Sequence, residues 1–261
     1  MDTKTRRADI AIHLQRNGEV SITDMAQRHG RSEMTIRRDL DVLESEGLAR
    51  LTRGGAICVR SRAYEPPILQ RAAHRAEAKR RIGEAAAALV SDGDTVVLDV
   101  GTTVHALARE IPGDVSVTVV TSSLWIASEL GAKGSVRTIV TGGVVRPGEM
   151  SLVGPRAESA YDDLNCDIAF LGVAGISDAK GLSEYSIDDA NVKRAALAAV
   201  RRVVVLADAT KVGRVALVTF APISVVDVLV TDASPDDEVI RRLRERGVDV
   251  VHVEPKEEES P

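Results

Sequence analysis

Between Ile22 and Asp41 the chain sets two helix starts and one sharp turn, which leaves little choice of local fold. Ser21 is placed to cap a short helix with Met25 and Ala26 on its inner side, and Asp24 in the first turn suits the positive helix end. Gly30 supplies the left-handed backbone of a tight turn, and Ser32 caps the next helix. On that helix Ile36, Leu40 and Leu43 recur at spacings of four and three, which makes a buried seam. Upstream, Ile10, Ala11 and Leu14 form the inner stripe of another helix that stops near Asn17-Gly18. Two short helices joined this tightly over a shared seam predict a helix-turn-helix.

The outward face of the second of these helices carries Met34 and Arg38, flanked by Thr35 and Arg37. Arginine can grip a guanine edge with two hydrogen bonds, and Thr and Met can touch a thymine methyl. Ser21, Thr23, Arg31 and Ser32 flank the turn, where polar groups can hold phosphates. After Gly47, strand-like runs on either side of Gly54-Gly55 predict a two-stranded wing, with Arg50 and Arg53 placed for backbone phosphates. Taken alone, the Arg pair reads better as a solvated helix face; the cap, turn, cap and helix together point to double-stranded DNA. Charge agrees once the chain is divided: residues 1–81 hold 17 Lys/Arg against 11 Asp/Glu, whereas the remainder holds 17 against 28. Aromatic content of 2% argues against a base-stacking reader of single strands or RNA.

A length of 261 residues fits two domains. No apolar run is long enough for a membrane span, and residues 1–16 lack a signal-peptide core, so the expected location is the cytoplasm. Cys58 and Cys166 lie far apart and suggest neither a disulfide framework nor metal ligation. The five histidines show no helical pairing, so a metal sensor is disfavoured, and no cofactor or metal is expected.

Thr35-Ile-Arg-Arg-Asp-Leu40, Leu43-Glu44, Gly47-Leu48 and Arg53-Gly-Gly-Ala56 resemble the winged-helix domain of the DeoR family of bacterial sugar-metabolism regulators. Arg31 and Arg53 depart from the family's usual residues and bear on which operator is read. The domain is expected to span 1–58. A linker and connecting helix follow at 59–80, with the hinge placed at Pro66-Pro67 and the basic helix after it packing on the second domain.

From Ile82 helix-like and apolar β-rich runs alternate, which predicts an α/β domain over 81–253 with a mostly parallel sheet covered on both faces. Ligands of such sheets bind at the carboxyl ends of the strands. Those positions here are small or polar: Asp99 and Gly101-Thr102-Thr103, then Thr121-Ser122-Ser123, Gly142-Gly143, and Asp208 with Lys211. A Gly-Thr-Thr turn at a helix start offers free backbone N–H groups and hydroxyls suited to a phosphate, although a simple Thr cap has the same appearance. Residues 254–261 form an acidic tail expected to be disordered.

This half resembles the family's sensor domain, itself similar to ribose-phosphate isomerase, over Asp92–Asp94, Asp99–Thr103, Thr121–Ser123, Thr141–Gly143 with Arg146, Ser151–Pro155, Asp167–Gly175, Lys193-Arg194 and Ala207–Lys211. The resemblance implies a phosphorylated-sugar effector. Asp99–Thr103 would hold its phosphate, Lys193 or Lys211 would supply counter-charge, and Thr121, Asp167 and Asp208 would read hydroxyls. Gly175 belongs to the same matched set. Ser122 and Asp189 depart from the residues usual in the family. The reading is a ligand-controlled regulator, a repressor of a sugar-metabolism operon, acting as a homo-oligomer (dimer or tetramer) on a repeated operator. The alternative is a sugar-phosphate isomerase with an attached DNA domain. That chemistry needs a tuned carboxylate base, and Asp167–Gly175 lacks the second acid that the isomerases carry there.

Overall fold

A computed structural model describes residues 2–59 and 62–254, which places 255–261 of the acidic tail outside the described residues. The chain divides into two compact units between His74 and Arg75.

In the first unit α1 (Thr3–Asn17) leads through β1 (Glu19–Ser21) to α2 (Ile22–His29) and α3 (Glu33–Ser45). Strands β2 (Ala49–Leu51) and β3 (Gly55–Cys58) form the wing, and α4 (Ile68–Ala73) closes the unit. The capping signals are used as the sequence implies: Ser21 and Ser32 accept from Asp24 N and Thr35 N, while Gly18 and Gly30 take left-handed conformations. Ile10, Leu14, Ile36 and Leu40 are at most 1% exposed and unite the three helices. Burying each contributes roughly 1.5–3 kcal/mol. The wing has three strands rather than the expected two, because β1 pairs antiparallel with β3 in the order β1-β3-β2.

The division of units corrects the expected hinge. Tyr64 before Pro66-Pro67 and Gln70 after it both bond to the buried carboxylate of Glu44, and Arg71 pairs with Glu65 at 3.0 Å across the prolines. The proline pair ends one segment and starts α4 at Ile68, and both sides stay on the first unit.

The second unit opens with α5 (Ala76–Ala87), then β4 (Thr95–Leu98), α6 (Thr102–Glu110), β5 (Val117–Thr121), α7 (Leu124–Leu130) and β6 (Val136–Val140). A hairpin of β7 (Val144–Arg146) and β8 (Ser151–Val153) precedes α8 (Pro155–Ser159) and β9 (Cys166–Gly172). Short strands β10 (Gly175–Ser177) and β11 (Gly181–Glu184) lead to α9 (Ile187–Ala198) and β12 (Val200–Leu206). The unit ends with β13 (Val218–Ala221), β14 (Val228–Thr231), α10 (Glu238–Glu245) and β15 (Asp249–His252). Seven strands make one parallel sheet in the order β15-β14-β12-β9-β4-β5-β6. Val96, Leu98, Phe170 and Val204 fill the core on one face, and Val97, Ala169, Leu171 and Val205 fill it on the other. That two-sided burial is why these strands read as continuous apolar runs. Two antiparallel additions, β10-β11-β13 and β7-β8, were not expected; three- and four-residue strands leave too short a pattern to read. The sheet reverses its winding between β4 and β9, and the residues after those strands face the crevice where ligands of such sheets bind.

Candidate functional sites

On α3 Met34 is 60% exposed, Arg37 and Arg38 are exposed, and Ile36 and Leu40 on the other side are fully buried. Thr35 is half-buried, its hydroxyl bonded to Ser32 at 2.9 Å, and Arg31 is exposed at the turn. Between the arginines and the seam stands Asp39, buried and bonded to Arg6 at 2.6 Å and Arg7 at 2.8 Å. Asp39 thus locks α1 to α3 while Arg37 and Arg38 stay outward. Arg50 on β2 and Arg53 in the wing loop are exposed as expected. Two candidates take internal roles. Thr23 donates its hydroxyl to Glu33 at 2.8 Å, tying α2 to the start of α3. Gly55 is buried in β3, where an added Cβ would lie 1.9 Å from the Val20 carbonyl, so strand contact requires the glycine. Gly54 alone forms the exposed tip.

In the second unit Asp99 follows β4 and Gly172 closes β9. Lys193, on α9, is 1% exposed; its ammonium bonds to the Asp99 carboxylate and donates to the Gly172 carbonyl at 2.9 Å, and it lies 3.4 Å from Glu184. Asp99 also accepts from the Gly172 amide at 3.0 Å. Asp189, one turn before Lys193, is paired with Arg146 of the hairpin at 2.8 Å. Burial works to lower the Lys193 pKa, but Asp99, Glu184 and Asp189 outweigh it and hold the ammonium charged. Three carboxylates thus surround two cations at the point where the winding reverses. Beside them Gly101, at φ 121°, opens α6, with open space where a side chain would stand; Thr102 and Thr103 provide the first turn.

A second charged group sits at the carboxyl ends of β12 and β14. Asp208 is buried and accepts from the Thr210 amide at 2.9 Å, and Asp232 accepts from the Ala209 amide at 2.8 Å. Arg75 bonds to Asp232 and lies 3.9 Å from Asp208. Burial alone would raise the Asp208 pKa, yet Lys211, Thr210 and Lys79 overcome it and hold the carboxyl below its usual range.

Several expected ligand residues are otherwise engaged. Asp167 is corrected outright: it lies at the amino end of β9, accepting from Thr95 N and paired with Arg201. Five residue steps along β9 separate it from Gly172, roughly 16 Å at ~3.3 Å each. Asp167 therefore stands at the end of the sheet opposite Asp99 and Gly172. Thr121 accepts from Ser123 N, Ser123 caps α7, and Ser122 is bonded to Tyr161. Gly143 lies against the Val153 carbonyl and Gly175 against that of Arg214, both too close for a side chain; Gly142 has open space. Glu184, Asp232 and Arg75 were not singled out from the sequence. Asp189, noted from the sequence only as a departure from the family's usual residue, stands one helical turn before Lys193; the others meet only through topology.

Among the described residues no group of three or more His, Cys, Asp or Glu is arranged to hold a metal, and no helix is long and apolar enough to cross a membrane.

A winged helix with a cationic outer face, joined to a parallel α/β unit with a polar crevice, defines a DNA-binding transcriptional regulator with a sensor domain. The chain belongs to the DeoR family: residues 6–62 match the DeoR-like helix-turn-helix domain and residues 74–233 match the DeoR C terminal sensor domain. It is 35% identical to the HTH-type transcriptional regulator GlpR of Haloferax volcanii over 88% of this chain and 90% of that one. It is 31% identical to the glycerol-3-phosphate regulon repressor of Escherichia coli, covering 94% and 97% respectively. The HTH-type transcriptional repressor GlcR of Bacillus subtilis is 32% identical, covering 91% and 96%. Among solved structures, ribose 5-phosphate isomerase A from Methanocaldococcus jannaschii aligns with a TM-score of 0.40 at 18% identity, over 52% of this chain and 54% of that one.

Proposed function

We propose that this protein represses a sugar-metabolism operon and leaves its operator when a phosphorylated sugar binds the sensor unit. The observation that carries the reading is the Gly101 turn, which opens α6 beside the Asp99–Lys193 pair where the sheet reverses its winding. The first turn of a helix has unpaired N–H groups and a positive end, so a phosphate is favoured there. The neighbouring carboxylates Asp99, Glu184 and Asp189 would repel a second anion and accept from hydroxyls instead. Phosphate at Gly101–Thr103 and hydroxyls toward the carboxylates is the orientation that follows.

Two copies on a repeated operator supply the affinity one small domain lacks. Val144, Val145 and Met150, all exposed on and beside the β7–β8 hairpin, offer apolar surface for such an association. Enzymatic turnover is not part of this reading: the relatives above are named regulators and repressors. The single tryptophan, Trp125, stacks on His105 of α6 at 4.4 Å between ring centroids and reports on the start of that helix. Screening sugar phosphates and the corresponding free sugars by thermal stabilisation and Trp125 fluorescence tests the proposal. A phosphorylated compound should stabilise the protein and release it from DNA. Stabilisation by a free sugar alone would remove the phosphate from Gly101–Thr103.

A further inference from the structure

Arg75 is the first residue of the second unit, directly after His74, the last of the DNA-binding unit. It holds a left-handed backbone, φ 55° and ψ 35°, which a residue with a side chain adopts only when its surroundings impose it. The imposing contact is visible. The guanidinium, one-third exposed, bonds to the Asp232 carboxylate and approaches Asp208, both of which are buried to within 3% of completely. Neither acid is spare: Asp232 also fixes the Ala209 amide and Asp208 fixes Thr210, so both are rigidly placed at the carboxyl ends of β12 and β14. Facing this group are Lys79 of the following helix and Lys211, both of which act on Asp208. Three cations and two carboxylates stand on the same sheet edge as the Gly101 turn.

We propose that Arg75 is a positioning residue for regulation: clasped to Asp232 and Asp208 it fixes the backbone where the DNA-binding unit is attached, and an anionic effector at this edge loosens the clasp. The inference rests on the regulatory reading above and adds its route. An anion entering an edge with Arg75, Lys79 and Lys211 competes with the two carboxylates for the guanidinium. Once released, Arg75 relaxes from its left-handed conformation, and the direction in which His74 leaves the unit changes. The ligand thus acts differently on two backbone states, which is the condition for any control by binding. The clasped state is the one that binds operator.

The test needs no effector. The full chain is used to select binding duplexes from random DNA, and affinity for the selected duplex is measured by fluorescence anisotropy for the wild type and for Arg75→Ala, Asp232→Asn and Arg75→Lys, which keeps the positive charge facing Asp232. Asp232→Asn keeps the acceptor for Ala209 and the side-chain size, so it reads the clasp even where Arg75→Ala fails to fold. The expected result is an affinity loss on the order of tenfold for Asp232→Asn and Arg75→Ala, with a smaller loss for Arg75→Lys. Arg242→Ala, which breaks the exposed pairs to Asp178 and Glu238, should leave affinity unchanged. Wild-type affinity in Asp232→Asn overturns the clasp, as does a loss in Arg75→Lys equal to that in Arg75→Ala. Failure of the wild type to select any duplex would instead overturn the regulatory reading.

Discussion

Arg146 on the β7–β8 hairpin reaches Asp189 on α9 at 2.8 Å, four residues before Lys193, which holds Asp99 at the end of β4. One chain of ion pairs therefore joins the hairpin, α9 and the central sheet around the proposed effector site. Each link is buried to a different degree, so each should cost a different amount to break.

Lys193 is the innermost link. Removing one partner of a buried pair leaves the other charge unpaired and typically costs 3–5 kcal/mol. Lys193→Met should therefore destabilise the second unit by about 3–5 kcal/mol. Arg146 is 22% exposed against 5% for Asp189, so water screens part of the loss and Arg146→Ala should cost about half as much. Arg201→Ala is the control: Arg201 is 80% exposed beside Asp167, where such pairs are worth under ~1 kcal/mol. Urea denaturation of the three variants gives the ranking, and an Arg201 loss equal to that of Lys193 would show that burial does not set these values.

Gly54 and Gly55 should part company on substitution. A methyl at Gly54 meets open space and the residue has no positive φ, whereas at Gly55 it would lie 1.9 Å from the Val20 carbonyl. Gly54→Ala should leave thermal stability within about 0.5 kcal/mol of wild type, as surface changes usually do. Gly55→Ala should break the β1–β3 pairing, lower the melting temperature of the first unit and abolish DNA binding through the fold. Equal tolerance of both changes would mean that the strand can shift without loss.

These two glycines also show what the sequence could reveal. As neighbours in a Gly-Gly tip they look alike; β1, whose three residues carry no readable strand pattern, makes them different. The helix starts were legible because Ser21, Ser32, Gly18 and Gly30 act locally, on amides one turn away. The parallel sheet was legible because burial on both faces leaves long apolar runs. The ligand edge was legible only as a rule about strand ends, and that rule already sets Asp167, which opens its apolar run, at the end opposite Gly172; the resemblance alone had made it a hydroxyl reader. Glu44 and Asp232 act on Gln70 and Arg75, far away in sequence, and Glu184 reaches Lys193 from a different element, so no spacing announces them.

His105 should make the sensor unit acid-sensitive. It stacks on Trp125, 15% exposed, and burial lowers its pKa despite Glu129 at 3.4 Å. With the folded value below the unfolded one, the unfolded chain binds the proton more readily as pH falls. The stability linked to this group is present above the ordinary histidine range near 6.5 and is lost as pH drops from there toward the lowered folded value. Unfolding followed by Trp125 fluorescence between pH 7.5 and 5.5, on the order of one unit either side of that range, should show this slope. His105→Gln should flatten it, and an unchanged slope in that variant would assign the sensitivity to other groups.

Arg38 and Arg50 separate reading from holding. Arg38 projects from α3 beside Met34, on the face opposite Ile36 and Leu40, where a helix in the major groove meets base edges. Arg50 lies on β2 of the wing, exposed, where a strand beside the groove meets phosphates. Arg38→Ala should cost roughly 1–3 kcal/mol on the preferred duplex and much less on others, relaxing base preference at one position. Arg50→Ala should weaken every duplex alike and reduce the slope of log affinity against log salt by about one. Anisotropy titrations at several salt concentrations, on the preferred duplex and its single-base variants, distinguish the two. If Arg38→Ala weakens all duplexes equally and lowers the salt slope, Arg38 grips phosphate, and Met34, Thr35 and Arg37 must carry the recognition of sequence.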